Sequence, residues 1–160
     1  MRKVSVAVES LSMSEDFFAI FELKPEFKLD ENLLHQRYLA LQKIFHPDKI
    51  QDSIQKTKHS KYLVKVNDAY IKLKDQQKRA ECLLALNGII VNQETGNNIE
   101  PRSETLLLVM DLSEEKDINQ MKILLEQCFV EFERYFAAKN YTEAAQEIIK
   151  SQYLNKLLKS

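Results

Sequence analysis

Residues 30–74, DENLLHQRYLALQKIFHPDKIQDSIQKTKHSKYLVKVNDAYIKLK, decide the fold. Leu34, Tyr38, Leu41 and Phe45 recur at helical spacing, so a helix runs to about Phe45. Asp30 is a good N-cap for it, with Leu29 and Leu34 placed as a hydrophobic staple. The helix stops at His46-Pro47-Asp48, because Pro47 lacks an N–H and its ring pushes His46 out of the α region. A second helix, from about Ser53 to Lys74, carries Tyr62, Val66, Ala69, Tyr70 and Leu73 on one side. Two apolar stripes joined by a short loop predict an antiparallel helical hairpin.

Outward from the hairpin the pattern stays helical. Asp16 to Leu23 (DFFAIFEL) reads as a short apolar helix ended by Pro25. Gln76 to Leu86 is amphipathic and closed by Asn87-Gly88. Residues 91–101, VNQETGNNIEP, are polar and read as a linker. Three more helices are expected at about Arg102 to Glu115, Ile118 to Lys139 and Tyr141 to Lys159. The middle one places Ile118, Met121, Leu125, Cys128, Phe132 and Phe136 on one stripe, and Asn140 caps the last. Short connections make these a three-helix bundle. With two glycines and three prolines in 160 residues, turns are too scarce for a strand-rich fold, and the class expected is all-α. The division expected is an extension over 1–14, a hairpin domain over 15–90, the linker over 91–101 and the bundle over 102–160.

The net charge of −1 hides an asymmetry. Arg37 to Arg79 holds eleven bases and four acids, a net +7, whereas Val91 onward holds eight bases and twelve acids, a net −4. That division fits two surfaces for two partners, and equally two solvated helical faces. A helix-turn-helix nucleic-acid binder would also use a basic stretch, but no arginine-rich recognition helix is present, so nucleic acid is not expected as a partner. No apolar run approaches the roughly 18 residues of a membrane span. Cys82 and Cys128 are far apart in apolar helical patterns and read as buried thiols in a reducing cytoplasm. His35, His59 and the two cysteines lack ligand spacing, so neither a metal nor another cofactor is expected. MRKVSVAVESLS at the start has no proper apolar core for a targeting signal; it reads as a flexible extension, or as residues upstream of a start at Met13.

Two segments are candidates for function. His46 and Asp48 could form an acid–base pair, but no nucleophile or metal pattern surrounds them, and from the tripeptide alone a plain helix stop with a polar loop is the better reading. Leu106 to Leu112 is too apolar for a helix with one buried face. At about 100° per residue, Leu108, Val109 and Leu112 fall on one side; Leu106, Leu107 and Met110 fall on the other, beside Asp111 and Glu114. The second set is either buried by another part of the chain or exposed as a binding surface.

In context, DFFAIFEL, the helix ending in KIF, the His46-Pro47-Asp48 loop and the helix carrying KVNDAYIKL resemble the J-domain of the DnaJ family over roughly Asp16 to Leu86. RAECLLALNGI, LLLVMDLSEE and EAAQEIIKSQYLNKL extend the likeness to the HscB family, co-chaperones of iron–sulfur cluster assembly, over roughly Ser14 to the C-terminus. The Gly/Phe-rich linker and CxxCxGxG repeats of ordinary DnaJ proteins are absent from this sequence. The resemblance implies no active site of its own: His46, Pro47, Asp48 and Lys49, with Arg37 and Lys43 as a basic patch, would stimulate the ATPase of a DnaK-like chaperone, HscA. It implies that Leu106, Leu107, Met110, Asp111, Glu114 and Tyr153 hold the scaffold IscU. Tyr153 stands where the family often has another aromatic, and Ile118 where it often has an acid. A general adaptor recruiting another client is the alternative. The eukaryotic cysteine-rich N-terminal domain is missing from the sequence, so the resemblance implies a bacterial cytoplasmic protein.

Overall fold

The computed structural model describes residues 15–92 and 96–160. The extension expected over 1–14 therefore lies outside the described residues. The chain is all-α apart from one small β pairing among those residues, and it forms two compact units, Asp16–Cys82 and Leu83–Ser160.

In the first unit, α1 is Phe17–Ile20, α2 Glu31–Ile44 and α3 Ser53–Lys74, and α4 (Gln76–Ala85) begins there. Asp16 caps α1 through its side chain, and the helix ends early because Glu22 turns left-handed at φ 54°. It is thus one turn long, shorter than the apolar run DFFAIFEL. Asp30 accepts from the Leu33 amide to start α2, and Asp52 from the Gln55 amide to start α3. Phe18, Phe21, Phe27, Leu34, Leu63, Val66, Ala69 and Leu73 are buried and form the core.

The hairpin is clasped by aromatic and polar contacts along its outer seam. Tyr38 stacks on Tyr70 at 4.0 Å between ring centroids. The Tyr38 hydroxyl and the Gln42 amide both donate to Asn67 Oδ1, at 2.9 and 2.6 Å. Phe45 packs against both His59 and Tyr62. Such pairs contribute roughly 0.5–1.5 kcal/mol each beyond the area they bury, enough to hold the α2–α3 register near the loop.

In the second unit, β1 (Val91–Asn92) pairs antiparallel with β2 (Gly96–Asn97), and α5 (Ser103–Glu115), α6 (Ile118–Ala137) and α7 (Tyr141–Lys159) follow. The polar stretch read as a linker carries this pairing and is fastened down. The side chain of Gln152 donates to the carbonyl of the buried Val91, Gln146 donates to the Glu100 carbonyl at 2.8 Å, and Arg102 forms a bidentate pair with Glu143. Glutamines on α7 satisfy backbone groups that a free tether would leave to water.

Leu112, Met121, Cys128 and Leu154 centre the bundle core, with Leu108, Leu124, Leu125, Leu157 and Leu158 packed on it. Lys116 and Lys139 take left-handed conformations, φ 58° and 59°, where α5 and α6 end. Ile118, expected on the buried stripe of α6, is 46% exposed: as the first residue of the helix it precedes the turn that enters the core.

Candidate interaction sites

The turn at residues 46–49 is built by its own sequence. Pro47 occupies the first position of a 3-10 turn, Pro47–Lys49, where its missing N–H has no cost. The His46 ring accepts from the Asp48 amide at 3.2 Å, and its Nδ1 lies 3.7 Å from the Asp48 carboxylate. The Lys49 ammonium folds back to the Lys43 carbonyl at 3.1 Å, at the last turn of α2. His46, Asp48, Lys49 and Lys43 are exposed and Pro47 is half-buried. Imidazole, carboxylate and ammonium are thus held in place and open to a partner.

Arg37 is placed differently from the other five residues of that set. Its guanidinium donates to the carbonyls of Phe21 and Glu22 at 2.8 and 2.7 Å, the groups left open where α1 ends. It fastens α1 to α2 in addition to carrying its charge. The sequence holds no signal for this bond, because its acceptors are backbone oxygens 15 and 16 residues upstream. One exposed residue that periodicity left aside is Leu39, 51% exposed on the side of α2 away from Leu34 and Leu41.

Along α5 the two sides separate as follows. Leu112 is buried and Leu108 and Val109 are half-buried, facing the bundle. Leu106, Leu107 and Met110 are 41%, 60% and 60% exposed, with Asp111 and Glu114 exposed beside them. Three large apolar side chains on one helix face, rimmed by carboxylates, have the make-up of a protein-binding surface. Tyr153, on α7, is half-buried.

Neither cysteine is poised for chemistry. Burial pushes the Cys82 and Cys128 thiols up to about 12, leaving them protonated at neutral pH. Among the described residues, no three His, Cys, Asp or Glu side chains group as a metal site, and no helix is long and apolar enough to cross a membrane.

No family model matches the chain. Among curated proteins it is 47% identical over 72 residues to "Co-chaperone protein HscB homolog" of Mannheimia succiniciproducens, and 36% identical over 107 residues to that of Vibrio cholerae. Those alignments span 42% and 58% of the two relatives, about half their length. With the homologue of Neisseria meningitidis it shares 30% identity over 157 residues, covering 88% of this chain and 93% of that protein. The solved chaperone HscB from Vibrio cholerae superposes with a TM-score of 0.74 at 27% identity, covering 90% of this chain and 93% of that one. Human co-chaperone protein HscB shares the fold, with a TM-score of 0.79 at 24% identity over 91% and 80% of the two chains. A capped, exposed His-Pro-Asp turn on a helical hairpin, followed by a helical bundle and matched nearly end to end by a relative at that identity, makes this chain a member of the HscB co-chaperone family.

Proposed function

We propose that the chain is a co-chaperone of iron–sulfur cluster assembly that brings the scaffold IscU to the DnaK-like chaperone HscA and stimulates its ATPase. The observation that carries this reading is the preformed turn His46–Lys49, which presents its polar groups outward. On this reading residues 15–90 work as the J-domain. Pro47 keeps the turn rigid, and Asp48 accepts charge-assisted hydrogen bonds from a basic group of the chaperone. Hydrolysis then occurs in the partner, and no catalytic group is needed here.

Residues 102–160 are the scaffold-holding part. Leu106, Leu107 and Met110 fill apolar depressions on IscU, Asp111 and Glu114 fix the orientation, and Tyr153 supports the same contact from α7. The setting that goes with this reading is a reducing bacterial cytoplasm, in keeping with two cysteines that are both free thiols.

A steady-state ATPase assay with HscA and IscU tests the reading. Stimulation by the wild-type chain that is lost in His46→Gln is expected. No stimulation, or stimulation indifferent to that substitution, sinks it. Capture of IscU separates it from a general adaptor: Leu107→Ala with Met110→Ala should weaken capture by about 1–3 kcal/mol while leaving the fold intact, because both side chains face solvent.

A further inference from the structure

The positive charge around the 46–49 turn is unevenly distributed. The α2 segment, Glu31–Ile44, has two bases and one acid, and Arg37 is occupied with the end of α1. The α3 segment, Ser53–Lys74, has six lysines and one acid, a net +5, and Lys56, Lys58 and Lys61 are exposed. Around α2, at about 100° per residue, Asn32, Gln36, Leu39, Ala40 and Lys43 fall together on the side opposite Leu34 and Leu41. All five are exposed. The outward face of α2 is therefore largely uncharged, with one branched aliphatic side chain at its centre and a single cation, Lys43, at the end nearest the turn.

Building on the reading above, we propose that Leu39 is the apolar anchor by which α2 docks on the chaperone's ATPase domain, while the lysines of α3 supply the long-range attraction. The occupant is set by continuity. Leu39 precedes His46 by seven residues, about 10 Å of helix at a rise of about 1.5 Å per residue. A partner covering a standard patch of about 800 Å² around the turn also covers Leu39. The Lys49 side chain, bound to the Lys43 carbonyl, ties the turn to the end of this same face. An isolated exposed leucine is ordinary on a protein surface. Here it sits on a face whose one charge is Lys43, in a region of net +7, beside the group that engages the partner. An acidic surface with an apolar centre is the complement: its acids answer α3, and its centre receives Leu39.

The two contributions differ in kind, so they separate in one assay. The half-maximal concentration of the full chain for stimulating HscA is measured at several salt concentrations. Leu39→Ser should raise it by about 5- to 30-fold, as loss of a central apolar anchor does. Its salt dependence and the maximal stimulation should not change. Lys58→Gln with Lys61→Gln should weaken the interaction mainly at low salt and flatten the salt dependence. Ile123→Ser, the same kind of change at a 52%-exposed site on α6, is the control expected to behave as wild type. Unchanged thermal melting, with Leu39→Lys as a second variant, excludes unfolding as the cause. If His46→Gln abolishes stimulation but both Leu39 variants stay within about twofold of wild type, the anchor is disproved and the parent reading stands. If the wild-type chain fails to stimulate, both fall.

Discussion

Arg79 Nε donates a 2.8 Å hydrogen bond to the carbonyl of Phe27, joining residues 52 positions apart. The same guanidinium donates to the Leu73 carbonyl at 2.7 Å and lies over the Phe27 ring, and the residue is only 4% exposed. Burial pulls its pKa down, and the charges of Glu31 and Asp75 pull it back up. One side chain thereby fastens the irregular 24–29 segment to the end of α3.

Replacing Arg79 with Leu removes the two buried hydrogen bonds that its guanidinium gives to the Phe27 and Leu73 carbonyls. A loss of about 2–4 kcal/mol of stability is expected, read as a lower urea midpoint at unchanged slope.

Arg37 and Lys43 should respond in opposite ways. Arg37→Gln strips the Phe21 and Glu22 carbonyls of their donor and should cost about 1–2 kcal/mol in stability. The folded protein should retain its half-maximal concentration with HscA. Lys43→Gln should leave the melting temperature in place and shift that concentration about two- to fivefold, most at low salt. Melting curves and the ATPase titration together check both.

Glu147 on α7 is pushed above the usual carboxylate range, first by burial, with Lys150 opposing and Glu131 and Glu143 adding to the rise. A carboxyl whose folded-state pKa is raised favours the folded state fully below its unfolded value, and that advantage is lost as pH rises through the folded value. Glu147→Gln should therefore be more stable than wild type at pH 7, with the difference shrinking toward pH 4. Paired denaturation curves at the two pH values read the sign.

For Cys82 and Cys128, the rise from 9.0 to about 12 leaves roughly a thousandfold less thiolate at pH 8 than an ordinary thiol has. Alkylation with iodoacetamide should be slow in the folded chain and fast in urea. By the same linkage, their contribution to stability is complete below about pH 9 and declines as pH rises toward 12. Mass spectrometry of the alkylated chain at pH 8 and pH 9.5 checks this.

The helices were legible because their signals are local. Asp30 and Asn140 cap where side-chain chemistry says they should, and the two sides of α5 separate at the residues that helical periodicity divides. What the sequence hid depends on distant backbone oxygens. Nothing near Arg37, Arg79 or Gln152 announces that each donates to a carbonyl far along the chain. For this reason neither the bonds of Arg37 nor the anchoring of the 91–101 linker is legible in the sequence. Leu39 went unnoticed for the reverse reason: a residue off the periodic stripe carries no signal until its surroundings are seen.

The lysines that end α5 and α6 leave room for thermostabilisation. Lys116 and Lys139 hold a backbone geometry in which a Cβ is penalised by about 1 kcal/mol, at the position where helices commonly end in glycine. Glycine at both sites would remove that strain without touching the faces of α5 or α2, at a small cost in added freedom of the unfolded chain. A hardier version of the bundle is thus two substitutions away, and it would leave the proposed partner-binding surfaces unchanged.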